Sequence, residues 1–403
     1  MKPLTLLLLL PLFVASSSAA PLFERQNLFE EKTADTVSFR IPGMVVTAKG
    51  TVLVYCEARC NSGADWGEIE VHLRRSTDGG RTFSPARQIA HAGPRLPRHP
   101  VALAHKSGKP NEQTVNNPVA IAARDGTVHF LYCVEYQRAF YMRSVDDGVT
   151  WSAPVEITSA FEPLRAAWNW KTIATGPGHG IELRTGRLVV PVWVALARSS
   201  PHGEGVATTV YSDDQGRTWK AGAIAVPNDS FTTGTSENIV AELSDGRVML
   251  HARTRSKPNR KVVTISPDGA TGWSKPVFDD ALFEPVCMSS LVAYPASGDG
   301  RTRLLFSNPD TLEPEGHKSS AQPGERRARQ NLSVKVSYND GRTWPVTRAL
   351  EPGPSAYSDL AVLPDGTILC FFECGRGPAE PGKRGWPYAF LTLARFNLEW
   401  LER

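Results

Sequence analysis

Short apolar runs recur along the chain in pairs, and each pair is separated by a polar turn that contains glycine. Two apolar runs around such a turn are typical of a β-hairpin. The pattern appears at residues 44–55, 119–131, 181–190, 239–250, 291–306 and 360–371. The sequence therefore predicts six β-hairpins.

A second repeat, Ser-x-Asp-x-Gly-x-Thr-Trp, alternates with the hairpins. In such a turn Asp or Asn accepts backbone N–H groups, Gly supplies a positive φ, and the aromatic residue packs on its own sheet. We therefore interpret the copies as structural turns and not as calcium or phosphate sites. They occupy residues 76–83, 144–151, 212–219, a degenerate 266–273, and 337–344.

The alternation of the two repeats indicates the fold class. Six units of about four short strands bury their faces by stacking radially, which predicts an all-β, six-bladed β-propeller. We expect residues 22–29 to complete the last blade beside the C-terminal segment 388–400. Three long loops are candidates for walls around a central site, at residues 91–116, 158–170 and 309–330.

The N-terminus has a different pattern from the rest of the chain. Residues 1–20 combine Lys2, an apolar run over 4–14 and a cluster of small residues, as in a cleavable secretory signal. We expect one propeller domain over 21–403, exported to a secreted or periplasmic location and acting as a monomer. No other stretch is apolar enough to cross a bilayer.

Composition narrows the classes of partner. The 403 residues carry a formal net charge of only +4 without a long Lys/Arg run, so we expect no nucleic-acid partner. Six cysteines are compatible with disulfides or with buried thiols. Cys56 and Cys60 have a metal-like spacing but no accompanying His cluster, so we expect neither a metal nor a cofactor.

Charged and phenolic residues cluster at matching ends of the hairpins. Glu237 and Arg253 bracket the fourth hairpin, so pairing of its strands brings them together at one sheet edge. Each such residue alone is compatible with a solvated strand end or a surface ion pair. The other residues of this set are Arg40, Glu57, Arg59, Asp65, Arg329, Tyr357 and Glu373.

Taken together, these residues resemble the exo-α-sialidases, also called neuraminidases. Phe39-Arg-Ile-Pro42 matches the signature of that family, the Asp repeats match its architecture, and the later polar positions follow its order. The resemblance covers the chain from about Ser38 to the C-terminus. It implies hydrolysis of terminal α-linked sialic acids from sialylated glycans, with retention of configuration and without a metal.

The resemblance also implies residue roles. Arg40, Arg253 and Arg329 become the arginine triad, whose guanidinium groups hold the sialic acid carboxylate by charge-assisted hydrogen bonds. Arg326 and Arg327 lie in the same loop as Arg329, which we prefer because it leads directly into the fifth Asp repeat.

Three further positions match the catalytic groups of the family. Tyr357 is the candidate nucleophile and Glu237 its base, because a neutral phenol avoids the repulsion that a carboxylate would meet at a carboxylate-bearing anomeric centre. Asp65 takes the position of the acid/base.

The remaining matches concern substrate contacts. Glu373 is expected to orient Arg40, and Arg59 to contact the substrate. Asn117 stands where many relatives carry Asp, although an amide can also bond a sugar hydroxyl. Tryptophans either stack on sugar faces and line the entrance or are buried in the propeller, and the candidates are Trp66, Trp168 and Trp170.

One glycine-rich segment resembles a phosphate loop. Gly176-Pro-Gly-His-Gly180 precedes a strand and not a helix, so we interpret it as a tight turn near the rim. His179 has no evident triad partner in the sequence.

Two other functions remain open. A non-catalytic propeller that binds sialylated glycans needs only the arginines, so Tyr357, Glu237 and Asp65 together argue against it. A trans-sialidase, or a related glycosidase for another acidic sugar, is compatible with the same residues, because the choice between water and a sugar acceptor depends on the rim loops.

Overall fold

The structure is a computed structural model that describes residues 20–91, 93–295, 301–316, 320–377 and 385–403. Apart from Ala20, the expected signal segment lies outside the described residues. No helix in these ranges is long and apolar enough to cross a bilayer. All six cysteines are free thiols, and only Cys60 is not fully buried.

The first half of the chain begins with a separate strand and then forms three antiparallel blades. The separate strand is β1 (Phe23–Glu30). Blade one contains β2 (Ser38–Val46), β3 (Val52–Arg59), β4 (Ile69–Ser76) and β5 (Arg87–Ala90). Blade two follows helix α1 (Pro100–Ala104) and contains β6 (Val115–Ala122), β7 (Val128–Val134), β8 (Arg138–Ser144) and β9 (Val155–Glu156). Blade three follows a 3₁₀ helix (Thr158–Ala166) and contains β10 (Thr172–Thr175), β12 (Ile181–Glu182), β13 (Leu188–Ala195), β14 (Gly205–Ser212) and β15 (Lys220–Ala221), with β11 (Gly178–His179) leaving it to pair with β6.

The second half forms three more blades. Blade four contains β16 (Asn238–Glu242), β17 (Val248–Ala252), β18 (Arg260–Ser266) and β19 (Val277–Phe283). Blade five contains β20 (Ser290–Tyr294), β21 (Arg303–Pro309), β22 (Gln330–Ser337) and the first part of β23 (Val346–Val362). Blade six contains the end of β23, β24 (Ile368–Cys374) and β25 (Phe390–Phe396), and helix α2 (Leu398–Leu401) follows it.

The blades follow one another around a ring. β2 packs against β6, β6 against β10, β13 against β16, and β16 against β20. Blades five and six share β23, and β2 of blade one packs against β23 and β24 of blade six. The six predicted hairpins and the all-β, six-bladed propeller are therefore confirmed.

The N-terminal strand completes the last blade, as the sequence predicts. β1 pairs antiparallel with β25, from Phe23 opposite Phe396 to Glu30 opposite Phe390. One blade thus contains both ends of the domain. Separating the ends would expose the edge of β25, so this pairing stabilises the closed ring.

The Asp repeats form the turns that their residues predict. In the third copy, one Asp214 oxygen accepts the Thr218 N–H at 2.8 Å and the other accepts the Thr218 hydroxyl at 2.6 Å. Gly216 has φ +79°, and a Cβ there would lie 2.4 Å from the Tyr141 hydroxyl of the preceding blade. These repeats therefore set the turn and its contact with the sheet of the preceding blade, and they lie away from the site described below.

The glycine-rich segment at 176–180 is not at the rim, contrary to our expectation. It lies at the centre of the ring, where Gly178 and His179 pair with Val119 and Ala120 of β6. His179 also has a partner, because its Nδ1 lies 2.7 Å from Asp359 of blade six. Sequence spacing could not show this contact, since the two residues are 180 positions apart.

Asp359 connects several blades at the axis. Its carboxylate accepts the Met44 N–H of blade one at 2.8 Å and the Ser290 hydroxyl of blade five at 2.8 Å, in addition to His179 of blade three. The Asp359 side chain is fully buried. Burial opposes protonation of His179, but the Asp359 carboxylate outweighs it and raises the His179 pKa above its ordinary value.

We expect Asp359→Ala to lower the free energy of unfolding by about 3–5 kcal/mol, because it leaves the buried His179 ring, the Met44 N–H and the Ser290 hydroxyl without their acceptor. Urea unfolding followed by tryptophan fluorescence measures the change. Asp365→Asn is the matched control, since Asp365 is exposed in the turn of the same hairpin and accepts only the Thr367 N–H. Equal stability of the two variants would contradict the role of Asp359.

Candidate active site

Breaks in strand pairing place three of the predicted residues at one end of the ring. Register shifts occur between Arg40 and Gly43 in β2, between Asn116 and Val119 in β6, and between Ser355 and Ser358 in β23. A bulge of this kind bends the strand and redirects its side chains. Arg40, Asn117 and Tyr357 lie within or beside these bulges, and all three line the same cavity.

The Arg-Ile-Pro sequence explains the first bulge. Pro42 cannot donate to a ladder, and Ile41 has φ +61°, a conformation that breaks regular pairing. The Ile41 N–H donates to Glu373 at 3.1 Å instead of to a strand. The motif is therefore a structural device that directs Arg40 into the cavity.

Glu373 joins Arg40 to the candidate nucleophile. One of its oxygens accepts Arg40 Nε at 2.6 Å, and the other accepts the Tyr357 backbone N–H at 3.0 Å. The Glu373 side chain is fully buried. This geometry agrees with the expectation that Glu373 orients Arg40.

Tyr357, Glu237 and Arg253 form one hydrogen-bonded cluster. The Tyr357 hydroxyl donates to Glu237 Oε1 at 2.5 Å, and Arg253 Nη1 donates to the Tyr357 oxygen at 2.6 Å. Arg253 also forms an ion pair with Glu237. The hairpin prediction that placed Glu237 beside Arg253 is confirmed, since the Arg253 N–H donates to the Glu237 carbonyl across the strands at 2.8 Å.

Burial controls the protonation of this cluster. It raises the pKa of the Tyr357 hydroxyl well above its ordinary value, Arg253 and Arg329 oppose the shift, and Glu237 adds to it. The phenol is therefore neutral at rest. A base in contact with it is required before the oxygen can act as a nucleophile.

Arg329 lies on the other side of Tyr357. Its guanidinium group donates to the Tyr388 hydroxyl at 2.8 Å and to the Val286 carbonyl at 3.0 Å, and lies 5.2 Å from the Tyr357 ring centre. Arg327, in contrast, donates to Asn259 and does not line the cavity. Arg326 lines the cavity but makes no hydrogen bond to Tyr388, so the geometry favours Arg329 as the third member of the arginine set.

Tyr388 is a site residue that sequence reasoning missed. The Arg40 guanidinium lies 3.8 Å from the centre of its ring, a cation–π contact, while its hydroxyl accepts from Arg329. Tyr388 holds two of the three arginines together. The sequence feature that could have identified Tyr388 is its position at the start of the last strand-like segment, on the blade that carries Tyr357.

Asp65, Arg59 and Glu57 form a second chain of charges. Arg59 Nη1 lies 2.9 Å from Asp65, and Arg59 Nη2 donates to Glu57 at 2.8 Å. Glu57 also accepts the Asn117 N–H at 2.9 Å. Arg59 is fully buried and does not line the cavity. It therefore contacts Asp65 from behind the cavity wall.

The protonation of Asp65 follows from these neighbours. Its side chain is 52% exposed at the cavity. Enclosure opposes ionisation, but Arg59, His202 and Arg40 outweigh it and hold the pKa of the carboxyl well below its usual range. Asp65 is thus a carboxylate at neutral pH.

Asn117 lies in the cavity wall as expected. Its Oδ1 accepts from the Asn116 side chain at 3.0 Å, and its φ is +52°. Its Nδ2 has no partner among the described residues. An Asn117 side chain held in this way has one group available to donate to a ligand.

The aromatic wall differs from the one that the sequence suggested. None of the three candidate tryptophans lines the described cavity: Trp66 packs with Tyr136, and Trp168 and Trp170 belong to the core between blades two and three. Trp193, Tyr136 and His202 line the cavity instead. No local pattern distinguishes a wall tryptophan from a core tryptophan, because both lie in strands or long loops.

The cavity has a volume of 690 Å³ and brings together the predicted catalytic residues, the arginine triad and Asn117, while Arg59 and Glu373 support it from behind. It combines a phenol with a base, a separate carboxylate, and three guanidinium groups. Such a site can bind a carboxylate and form a covalent bond from the phenol oxygen.

Comparison with known proteins agrees with this geometry. Residues 97–370 match the family of BNR repeat-like domains. The chain is 29% identical to a sialidase of Micromonospora viridifaciens over 94% of its own length, and 30% identical to a sialidase of Bacteroides fragilis over 84%. It spans 55% and 60% of the lengths of these two relatives.

A solved structure gives the same result. The Hadza microbial sialidase Hz136 superposes with a TM-score of 0.72 at 28% identity, over 91% of this chain and 67% of that protein. The alignment includes nearly the whole propeller described above. The chain therefore belongs to the BNR repeat-like family and is a homologue of sialidases.

Proposed function

We propose that the protein is an exo-α-sialidase that hydrolyses terminal α-linked sialic acids with retention of configuration. The observation that carries the proposal is the bonded set of Tyr357, Glu237 and Arg253 in a cavity that Arg40 and Arg329 also line. Homology to sialidases supports it. The substrates are sialylated glycans.

The first step forms a covalent intermediate. The arginines bind the carboxylate on the anomeric carbon, and Glu237 accepts the Tyr357 proton as the phenol oxygen bonds to that carbon. The bond to the leaving oxygen breaks, and Asp65 supplies the proton that this oxygen requires. The arginines neutralise the charge of the anomeric carboxylate throughout this step. The Tyr357 phenol is itself neutral, so no charge repulsion opposes its approach.

The second step reverses these roles. Asp65 accepts a proton from water, the water oxygen bonds to the anomeric carbon, and the bond to Tyr357 breaks. Glu237 returns its proton to the phenol oxygen. Two displacements at the same carbon give net retention.

Asp65 must gain a proton before the first step, because it is ionised before the substrate binds. Arg59 and Arg40 lower its pKa there. A bound substrate carboxylate offsets the positive charge of Arg40, and this raises the pKa of Asp65. Substrate binding thus prepares the acid.

The pattern of residues 1–20 supports the further proposal that the mature protein is exported. A soluble glycan hydrolase outside the cytoplasm meets its substrates directly. N-terminal sequencing of the protein recovered from culture medium or periplasm tests both cleavage and location.

We expect the purified protein to release a fluorophore from an aryl α-sialoside and not from the β-anomer, since only the α-bond faces Asp65 when the carboxylate is held. Proton NMR of the first product identifies the retained α-anomer. A preparation that binds the sialoside in calorimetry but releases nothing would favour the sugar-binding alternative.

We expect Tyr357→Phe to lower kcat on the order of 10³-fold or more and to abolish the covalent adduct with a fluorinated sialosyl inactivator, because the bonding oxygen is lost. Mass spectrometry of peptides locates the adduct. Tyr388→Phe is the matched control, since it removes a phenol hydroxyl that bonds Arg329 yet leaves the adduct at Tyr357. An adduct on another residue in wild-type protein would overturn the assignment.

We expect Asp65→Asn to slow cleavage of a sialyl-lactose by about 10²- to 10⁴-fold and that of an activated aryl sialoside far less, because a phenolate leaves without a proton. The ratio of the two kcat/KM values is the measurement. Glu204→Gln is the control, because Glu204 is another carboxylate of the cavity, and its Oε2 accepts the backbone N–H groups of Arg198 and Ser199. Equal losses on both substrates in Asp65→Asn would count against acid catalysis.

A further inference from the structure

The cavity has more positive charge than one carboxylate requires. Among the described residues that line it, the cationic side chains are Arg40, Arg253, Arg255, Arg326 and Arg329, and the acidic ones are Asp65, Glu204 and Glu237. Arg40 is also paired with Glu373 from behind. The proposed triad accounts for three guanidinium groups, so Arg255 and Arg326 have no assigned role.

Neither of these two side chains has a partner of its own. No hydrogen bond or ion pair joins the guanidinium group of Arg255 or Arg326 to another described residue, whereas Arg327 between Arg326 and Arg329 donates to Asn259. Partial burial and repulsion by Arg253 and Arg329 lower the pKa of both groups. Glu284 near Arg255 and Glu315 near Arg326 offset only part of this repulsion. An anion bound between or beside the two guanidinium groups would therefore be stabilised.

The backbone under Arg255 is fixed. Its N–H donates to the Thr233 carbonyl at 2.7 Å, and its own carbonyl accepts the Thr233 hydroxyl at 3.1 Å. The side-chain stem lies against Gly234, where a Cβ would come within 3.0 Å of it. Arg255 therefore projects from a defined point of the cavity wall.

The segment that carries Arg326 is tied to the same wall through Asn259. The buried Asn259 side chain donates to the Glu325 carbonyl at 3.1 Å and accepts the Gly324 N–H at 2.9 Å. Gly324 has φ +80°, and a Cβ there would lie 2.3 Å from the Arg255 carbonyl oxygen. The two segments are thus packed backbone to backbone, which holds both arginines on one side of the cavity.

We propose that Arg255 and Arg326 form a second anion subsite, which binds an oxyanion of the substrate other than the carboxylate held by the triad. Guanidinium groups suit carboxylate and sulfate alike. The substrate class is therefore sialosides with a second negative charge, carried either by another sialic acid residue or by a sulfate ester. The inference rests on the proposed sialidase function and narrows its substrates.

Three sialosides test the subsite: one with lactose as the aglycone, one with sulfated lactose, and one with a second sialic acid residue. Their S-linked analogues resist cleavage and give Kd by calorimetry, and the O-linked compounds give kcat/KM. We expect the charged aglycones to be preferred by roughly tenfold, as one or two charge-assisted hydrogen bonds provide. A preference for only one of them identifies the source of the oxyanion.

The variants Arg255→Gln and Arg326→Gln should each remove most of that preference in both Kd and kcat/KM. Arg217→Gln is the control, because Arg217 is an exposed arginine of the third Asp repeat, outside the cavity. It should keep the wild-type ratio. Higher salt should reduce the preference of the wild-type protein and not that of the two cavity variants.

The outcomes separate the two proposals. Cleavage of the lactose compound with equal ratios in wild-type protein and both cavity variants would refute the subsite and leave the sialidase function intact. Failure to cleave any O-linked compound would refute the proposed function, while the calorimetric ratios would still report on the subsite. Tighter binding of the neutral compound would also refute the subsite.

Discussion

The buried carboxylate of Glu373 is the interaction on which both the ring and the site depend. It accepts Arg40 Nε and the Ile41 N–H from blade one, and the Tyr357 N–H from blade six. A buried carboxylate without donors is strongly unfavourable, so these bonds keep the first and last blades in contact. Contact between blades one and six, which closes the ring, therefore also brings Arg40 next to Tyr357.

The same arrangement occurs at a second bulge. Where pairing breaks at Asn117, the N–H that loses its strand partner donates to the buried Glu57, which also holds Arg59. Glu57 and Glu373 thus each satisfy a backbone group freed by a bulge and each orient an arginine. The backbone N–H groups that lose their strand partners at the bulges are thus satisfied by the same carboxylates that orient the arginines of the site.

Local signals explain which features could be predicted from sequence. Hairpin turns and Asp repeats specify short-range structure, and the strand register that follows from the fourth hairpin places Glu237 beside Arg253. The axial contact of His179 with Asp359 and the choice of Trp193 over Trp66 as a wall residue depend on how separate blades meet. The pattern of apolar and polar residues within one blade therefore predicts neither contact.

Charge connects recognition to catalysis in the proposed mechanism. The neutral Tyr357 is compatible with a ring of arginines because it adds no charge at rest, while its contact with Glu237 allows the proton to leave as the bond forms. Asp65 is ionised for the same reason that the substrate binds, since Arg59 and Arg40 favour any carboxylate nearby. A substrate carboxylate at the triad offsets the positive charge of these arginines. This raises the pKa of Asp65 and allows it to become protonated. The arginines therefore act on both carboxylates, so the acid gains its proton only in the filled site.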